Sequence, residues 1–188
     1  MSETTPILAH SWARSENDFY IEPVWVSRRL FEVEEFHGEI WDPACGTGRI
    51  TTSARSAGFP THETDIADRG VGSRLDFLTS DREACNIVSN PPFDVAKEFT
   101  LKALERATKK VAIVFPTARL NAARWLQQTP LRRVWLLTPR PSMPPGSVIL
   151  AGGKPGGGKM DFSWIVFEQG YEGRSEIEWL HRDGLTNV

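Results

Sequence analysis

Cysteine is scarce in this chain of 188 residues, where it occurs only at Cys45 and Cys85. Two thiols are too few for a disulfide framework or for a cysteine-rich zinc site, and we expect both to be reduced and packed. Histidine is hardly more frequent, and its spacing is not typical of a metal site. The four histidines are His10, His37, His62 and His181. No metal centre is therefore predicted.

Long apolar runs are absent as well. No window approaches the roughly 18 consecutive apolar residues of a membrane-spanning helix. Residues 1–18 are polar and lack the basic start and apolar core of a secretory signal, so we expect a flexible N-terminal arm there. For the remainder, 19–188, we predict a single domain of a cytoplasmic protein that is monomeric or homodimeric.

Acidic residues are missing from one long part of the chain, the acid-free stretch 106–160. Its basic residues are Arg106, Lys109, Lys110, Arg119, Arg124, Arg132, Arg133, Arg140, Lys154 and Lys159. The net charge of the whole chain is only −2, so the excess of positive charge is local. Such asymmetry predicts a polyanionic partner. The alternative is a set of separately solvated surface charges.

Hydrophobic periodicity predicts that strands and helices alternate along the chain. The predicted strands are 39–43, 61–66, 86–89, 110–115, 132–137 and 161–167, and the predicted helices are 23–36, 49–57, 95–108 and 117–128. A short element is expected at 74–78, and the Gly- and Pro-rich segment 138–159 is predicted to be a long flexible loop. The alternation is typical of a parallel α/β sheet with helices on both faces, whose ligands bind beyond the carboxyl ends of the strands.

A glycine-rich turn, Asp42-Pro43-Ala44-Cys45-Gly46-Thr47-Gly48, joins the first predicted strand to a helix. Gly46 and Gly48 allow the backbone to bend tightly and to approach a ligand closely, and the helix N-terminus presents free N–H groups. The turn lacks the third glycine of a G-x-G-x-x-G motif because residue 51 is threonine, and it is not a P-loop either. NAD and ATP are therefore disfavoured as ligands.

Acidic residues near this turn are placed to bind a nucleoside-like ligand with a positive charge. Asp42, ahead of the glycines, can meet a cationic group such as an ammonium. Asp65, with Ile66 beside it, ends the second strand at about the spacing at which an acid binds ribose hydroxyls. Glu63 and Asp68 compete for that role.

Asp76 is the third candidate acid. It could accept a hydrogen bond from an adenine amino group, with Phe77 lining the ring. For all three aspartates the alternative is structural: Asp42 could cap a helix, and Asp65 and Asp76 could simply be exposed acids.

A second motif, Asn90-Pro91-Pro92-Phe93, follows the predicted strand 86–89. Together with the glycine turn it resembles the amino-group branch of the class I methyltransferases, in particular the N6-adenine DNA methyltransferases. The segment Phe19-Tyr20-Ile21-Glu22-Pro23 resembles the aromatic segment that flanks the cofactor in that family. The resemblance extends from about Phe19 to Gly170. The family often carries a target-recognition domain after N-P-P-F, and no separate one is evident here.

The resemblance implies a Rossmann-like class I methyltransferase fold, with a mostly parallel central sheet, an antiparallel last strand and helices on both faces. It also implies S-adenosylmethionine as the cofactor. The residues expected to bind the cofactor are Phe19, Tyr20, Pro23, Asp42, Pro43, Ala44, Cys45, Gly46, Gly48, Asp65, Ile66, Asp76, Phe77 and Asn90.

The N-P-P-F motif suits the methylation of an exocyclic amine, whose lone pair is delocalised into the base ring. The side-chain oxygen of Asn90 and the carbonyl of Pro91 would bind its two hydrogens and free the lone pair. Transfer from a cationic sulfur depends on placement more than on a strong base. Pro91 and Pro92 stiffen the loop, and Phe93 can stack on a base extruded from a duplex. We therefore predict methylation of adenine N6 in DNA by these four residues.

Several alternatives stay open. The same chemistry could act on RNA, on cytosine N4 or on a protein glutamine amide, and an inactive methyltransferase-like subunit that binds nucleic acid is a further alternative. The intact motifs argue against inactivity, and the acid-free stretch favours nucleic acid over protein. The side chains expected to contact nucleic acid are Arg119, Arg140, Lys154 and Lys159, of which the last three would close over it. A disordered connector is the alternative for that loop.

Overall fold

The sheet predicted from the alternating pattern is present in the computed structural model, which describes residues 19–184. The arm predicted for 1–18 lies outside the described residues. The strands are β1 (Ile40–Asp42), β2 (Thr61–Asp65), β3 (Ser73–Arg74), β4 (Ala84–Ser89), β5 (Ala107–Pro116), β6 (Leu131–Thr138), β7 (Phe162–Glu168) and β8 (Glu176–His181). The α-helices are α1 (Val24–Val33), α2 (Arg49–Ser56), α3 (Ala96–Arg106) and α4 (Gly146–Leu150).

The eight strands form one sheet in the order β3-β2-β1-β4-β5-β7-β6-β8. The first five strands pair in parallel, whereas β7 runs antiparallel to both of its neighbours, β5 and β6. The predicted mostly parallel sheet is thus confirmed. The antiparallel strand is not the last one, however, because β8 follows it in the chain and pairs in parallel with β6 at the edge.

Side chains of the central strands point alternately to two apolar layers, as a period of two requires. In β5, Ala112 and Val114 pack in the layer that includes residues of α1 and α2. Val111, Ile113 and Phe115 pack in the opposite layer, which includes residues of α3. Helices therefore cover both faces, and this explains why β5 is almost wholly apolar at its centre.

The helix predicted for 117–128 is wrong. The structure has two 3-10 helices there, Thr117–Ala122 and Arg124–Gln128, separated by Ala123 at φ −82° and ψ 60°. No residue of the first segment is buried, so no packed face holds a continuous α-helix together. The break lets Leu126 become buried in the core.

Two regions expected to lack regular structure contain some. The predicted loop 138–159 includes the short helix α4, and the segment after 167, where no element was predicted, contains β8. Leu180 of β8 is fully buried, which anchors the strand to the core. Among residues 19–184, no helix is long and apolar enough to cross a membrane.

Candidate active site

The glycine turn and the N-P-P-F motif face each other across a cleft at the carboxyl ends of β1, β2 and β4. The cleft encloses about 810 Å³, its open mouth included. Of the residues predicted to bind cofactor or substrate, those that line it are Phe19, Tyr20, Asp42, Pro43, Ala44, Cys45, Gly46, Asp65, Ile66, Asp76, Phe77, Asn90 and Pro92. Pro23, Gly48, Pro91 and Phe93 do not line it. Most of the predicted residues are thus brought together in one place.

The glycine turn is fixed by neighbouring strands. One carboxylate oxygen of Asp65, Oδ2, accepts a hydrogen bond from Gly46 N at 2.9 Å, and Cys45 N donates to Thr64 O at 3.0 Å. Gly48, which caps α2, has a left-handed φ of 75°. A Cβ there would lie 2.9 Å from Val71 Cγ1, so a larger residue would distort the turn.

Cys45 lies in this turn as a free and buried thiol. Its Sγ donates to the carbonyl of Val71 at 3.5 Å. Burial, together with the nearby negative charge of Asp42, raises the pKa of Cys45 to about 12. The thiol is therefore neutral at physiological pH and is not a nucleophile.

Asp42 is buried in the floor of the cleft, with 1% of its surface exposed. Its Oδ1 accepts hydrogen bonds from Ser89 Oγ at 2.7 Å and from Ala44 N at 3.2 Å. Burial raises its pKa well above the ordinary value, the hydrogen bond from Ser89 opposes the shift, and the negative charge of Glu22 adds to it. Among the described residues, no basic side chain forms an ion pair with Asp42.

The other two predicted acids differ in burial. Asp65 is buried in the cleft wall, where its Oδ1 accepts a hydrogen bond from Ala67 N at 2.9 Å. Asp76 is exposed at the cleft edge, and its Oδ1 accepts from Leu78 N at 3.0 Å as the cap of a 3-10 helix, Phe77–Thr79. The competing acids Glu63 and Asp68 do not line the cleft.

A short segment, residues 19–22, crosses the cleft and is called the strap below. Gly146 N donates to Phe19 O at 2.8 Å, and Ile21 N donates to Pro144 O at 3.1 Å. The strap is therefore paired with the start of α4, inside the segment predicted to be a flexible loop.

The aromatic ring of Phe19 fills a narrow gap in this arrangement. The guanidinium of Arg69 lies over the ring at 3.8 Å from its centroid. A Cβ at Gly46 would come within 2.8 Å of the ring, and a Cβ at Gly146 would overlap it. Two glycines from distant parts of the chain thus make room for one side chain of the strap.

Asn90 is held by the strap through its amide nitrogen. Its Nδ2 donates to the backbone carbonyl of Tyr20 at 3.2 Å and to Glu22 Oε2 at 3.0 Å. Asn90 Oδ1 is buried and has no hydrogen-bond partner in the part of the chain that the structure describes. Because a buried acceptor without a donor is costly, this atom is suited to receive an N–H from a ligand.

Phe93 lies in a row of three aromatic rings. Tyr20 stacks on it with centroids 5.9 Å apart and planes inclined by 12°, and Phe162 of β7 lies 5.4 Å away at 31°. Arg119 donates to the carbonyl of Phe93 at 2.7 Å. Phe93 thus has two aromatic neighbours, one of which stacks on it, and is only partly buried.

The acid-free stretch is less positive in space than in sequence, because acids from elsewhere pair with half of its basic residues. The residues with ion pairs are Arg106, Lys110, Arg132, Arg133 and Arg140. Arg140, predicted to contact nucleic acid, pairs with Asp161 at 2.6 Å. Lys154 and Lys159 are exposed and form no ion pair with any residue between 19 and 184.

Several lining residues were missed by sequence reasoning. They are Ile21, Glu22, Thr47, Arg49, Ile50, Arg69, Leu75, Leu78, Val95 and Phe99. Glu22 lies inside the aromatic segment that resembles a cofactor-flanking segment, so its position in the sequence could have indicated that it lines the cleft. Arg69 carries no comparable signal, since it belongs to an irregular connection between β2 and β3. Among residues 19–184, no group of three or more His, Cys, Asp or Glu side chains is arranged to hold a metal ion.

Comparison with known proteins gives no match by sequence: no protein-family model matches the chain, and no curated protein matches it. The fold does match solved structures. A candidate RNA methyltransferase from Pyrococcus horikoshii gives a TM-score of 0.58 at 14% identity, over 77% of this chain and 81% of that one. A predicted O-methyltransferase from Agrobacterium tumefaciens gives 0.52 at 12% identity, over 84% and 85% of the two chains.

A third structure is magnesium protoporphyrin IX methyltransferase from Synechocystis with bound S-adenosylmethionine. It gives a TM-score of 0.53 at 10% identity, over 76% of this chain and 75% of that one. The acceptors named for these three proteins differ, and at such low identity the similarity extends to the fold alone. The chain therefore has the Rossmann-like fold of class I methyltransferases.

Proposed function

We propose that this protein is an S-adenosylmethionine-dependent methyltransferase that acts on an exocyclic amino group, with adenine N6 in DNA as the acceptor. The observation that carries the proposal is the buried Oδ1 of Asn90, which has no partner within residues 19–184 and belongs to the N-P-P-F motif at the cleft. An amine hydrogen would satisfy that oxygen.

The cleft residues fit the cofactor. When bound, S-adenosylmethionine would supply an electrophilic methyl group on a positively charged sulfur. The carboxyl of Asp42 is buried without a basic partner in the described chain, which suits an ammonium. Asp65 accepts two backbone hydrogen bonds and forms an ion pair with Arg69 Nε at 3.4 Å, and its carboxylate retains acceptor capacity that suits ribose hydroxyls. Phe77 and Phe99, with ring centroids 4.5 Å apart, provide an apolar wall for an adenine ring.

The chain's own contribution to the reaction is placement. Asn90 Oδ1 would accept a hydrogen bond from one amine N–H and the carbonyl of Pro91 from the other, which favours a pyramidal nitrogen with an available lone pair. The proton that the nitrogen loses after it takes the methyl group would pass to solvent. The strap keeps the Asn90 side chain in one orientation. The neutral thiol of Cys45 takes no part. Holding donor and acceptor in line is the main source of acceleration that this arrangement offers.

Nucleic acid is favoured as the acceptor by the charges at the cleft edge. The loop between β6 and β7 lies at the carboxyl end of β6, the same edge as the cleft. It carries Lys154 and Lys159, which are exposed and form no ion pair with the part of the chain that the structure describes. Lysines without acidic partners remain available for phosphates. Arg119 lies beside the N-P-P-F loop, where it binds the carbonyl of Phe93.

Transfer of a labelled methyl group tests the proposal. The protein would be incubated with labelled S-adenosylmethionine and duplex DNA, single-stranded DNA, RNA or total protein, and the modified nucleoside or amino acid identified after digestion. We expect N6-methyladenine from DNA. Label in RNA, in cytosine or in glutamine would correct the acceptor and keep the amino-group chemistry, whereas label on an oxygen or carbon atom would contradict it.

Two variants sharpen this experiment. Asn90→Ala should abolish transfer, while calorimetry should still detect binding of the cofactor. Asn121→Ala is the matched control, because Asn121 is an exposed asparagine that does not line the cleft. An Asn90→Ala protein as active as Asn121→Ala would overturn the mechanism.

A further inference from the structure

The proposed chemistry requires the Asn90 amide to present its oxygen, because an amine supplies hydrogens. An amide group has nearly the same shape in its two orientations, with a donor at one end and an acceptor at the other. Rotated by 180°, Asn90 would direct N–H groups at the N–H groups of the substrate. Some neighbouring group must therefore select one orientation.

Two oxygen atoms make that selection. Asn90 Nδ2 lies 3.2 Å from the carbonyl oxygen of Tyr20 and 3.0 Å from Glu22 Oε2. The backbone carbonyl accepts only, and the carboxylate form of Glu22, present above the pKa that burial raises, also accepts only. A rotated Asn90 would place its oxygen against both of them, so the observed orientation is strongly preferred. The same rotation would remove the acceptor from the position where Oδ1 now lies unsatisfied.

Glu22 is itself held firmly. Its surface is only 6% exposed. Its backbone carbonyl accepts a hydrogen bond from Arg49 Nη1 at 2.6 Å, and Pro23 follows it, which restricts the backbone at Glu22 as well. The preceding residue, Ile21, is bonded to the loop at Pro144. A buried acid fixed in this way can orient a neighbour without being in contact with the acceptor substrate.

We propose that Glu22 is the positioning residue of the active site, which fixes the Asn90 amide with its oxygen toward the amine to be methylated. The inference rests on the proposed function, since it assigns a role within that reaction. Glu22 acts through Asn90 and does not take up the substrate proton.

A double-mutant cycle between positions 22 and 90 tests the proposal. Asn90→Asp would put two carboxyl groups in contact where a hydrogen bond now exists, so it should reduce kcat strongly. Adding Glu22→Gln supplies an amide donor to the carboxylate introduced at position 90 and leaves the second oxygen of that carboxylate free as the acceptor. We expect the double variant to regain at least about tenfold in kcat over Asn90→Asp, although Glu22→Gln alone lowers kcat.

A purely structural role for Glu22 gives the opposite pattern. The two losses would then add, and the double variant would be no more active than Asn90→Asp, which would overturn the proposal. Glu22→Gln nearly preserves shape and volume, and thermal unfolding of each variant would confirm that all three are folded. Glu32→Gln is the matched control, because Glu32 is exposed on α1 and does not line the cleft.

A second measurement does not depend on activity. In protein labelled with 15N-asparagine, the Asn90 side-chain amide is identified by its absence in Asn90→Asp. We expect slow hydrogen exchange for its two protons in the unaltered protein and at least about tenfold faster exchange in Glu22→Ala, since one acceptor is lost. Unchanged exchange in Glu22→Ala would overturn the positioning role. If the unaltered protein methylates nothing, the proposed function fails, while this spectrum still decides how Asn90 is held.

Discussion

At the residue scale, the most consequential feature is the burial of two carboxyl groups, of Asp42 and Glu22, that form no ion pair within residues 19–184. Burial raises the pKa of Asp42 and of Glu22, so the folded protein retains these protons to higher pH than the unfolded chain does. Their contribution to the free energy of unfolding is therefore fully present below the carboxyl pKa of the unfolded chain, about 4. It is lost as the pH rises from there through the raised pKa of the folded protein. Above that raised pKa the ionised carboxylate of Asp42 weakens the fold, and it lies in a place where a cationic ligand would offset that cost.

The first prediction concerns Asp42→Asn. The amide oxygen can still accept hydrogen bonds from Ser89 and Ala44, but the charge is gone. We expect the melting temperature at neutral pH to be unchanged or higher, while the affinity for S-adenosylmethionine falls at least about tenfold, because a buried charge pair is lost. Scanning calorimetry and titration calorimetry measure the two effects. Glu63→Gln, outside the cleft, should leave the affinity unaltered, and an equal loss there would refute the assignment.

The second prediction concerns pH. A cation binds the carboxylate form, so below the raised pKa of Asp42 a proton must leave when the cofactor binds. Burial is the main cause of that raised pKa; the hydroxyl of Ser89 opposes it, and the negative charges of Glu22 and Asp65 add to it. Affinity should therefore increase with pH and level off above the raised pKa. Titration calorimetry in two buffers of different ionisation enthalpy should show proton release, and release should be smaller in Asp42→Asn. Proton uptake would contradict the assignment.

At the scale of elements, the strap and α4 behave as one unit because each supplies hydrogen bonds or packing to the other. Gly146 N donates to the strap, and the Phe19 ring occupies the space that a side chain at 146 would fill. The sequence does not predict this contact, since 138–159 is expected to be flexible and its Gly and Pro content carries no sign of a distant aromatic partner. The contact is a product of tertiary packing.

The third prediction tests this unit with Gly146→Ala. Gly146 begins α4, where alanine is the better helix former, so any loss comes from the overlap with Phe19. We expect cofactor affinity to fall about tenfold or more by titration calorimetry, because the strap that lines the cleft is displaced. In a Phe19→Ala background the same substitution should cost much less. Equal costs in the two backgrounds would mean that the ring and the glycine are independent.

Element by element, long and strongly patterned segments were predictable, and short or edge segments were not. The apolar centre of β5 and the helical spacing of apolar residues in α1 can both be recognised in the sequence, and both segments are buried in the structure as that pattern predicts. The segment 117–128 has a helical composition but lacks a buried face in its first half, so local propensity failed there. In β8, Ile177 and Trp179 are exposed while Leu180 is buried. Its alternation of charged and apolar residues therefore does not follow the pattern of burial.

At the scale of the whole molecule, charge is redistributed by folding. Glu34, which follows α1, accepts hydrogen bonds from Lys110 at 3.0 Å and from Arg133 at 3.0 Å. Two members of the acid-free stretch are thereby paired with one acid that is far away in sequence. A count of charges along the chain cannot detect such pairing. The positive surface proposed for nucleic acid is consequently smaller than the sequence implied.

The fourth prediction concerns that reduced surface. Lys154→Ala with Lys159→Ala should weaken nucleic-acid binding and reduce the slope of log K against log salt by roughly 2, since two phosphate contacts are lost. Fluorescence anisotropy at several salt concentrations measures both. Lys109→Ala is the control: Lys109 is exposed and unpaired within the described chain, but it lies near the amino end of β5, opposite the cleft. If Lys109→Ala weakened binding as much, the lysines would act through the overall charge of the protein and not through phosphate contacts near the cleft, which would contradict the prediction.

The candidate site was more predictable than its internal contacts. Asp42, the glycines and Asn90 could be placed at strand ends because parallel strands bring their carboxyl ends to one edge. The role of Glu22 could not be foreseen, since it depends on the path of the strap above Asn90. Sequence periodicity sets which residues share an edge, whereas hydrogen bonds between non-adjacent loops are decided by the folded backbone.

The row formed by Tyr20, Phe93 and Phe162 has a consequence for selectivity. Tyr20 already stacks on Phe93 and Phe162 is buried within β7, so a flat acceptor that stacks on Phe93 competes with Tyr20. Displacing Tyr20 costs its stacking and disturbs the strap to which it belongs. A small free amine brings too few contacts to compensate, whereas a polymer can draw on interactions remote from the reacting atom. We therefore expect small free amines to be poor methyl acceptors, because Tyr20 already occupies a stacking face of Phe93.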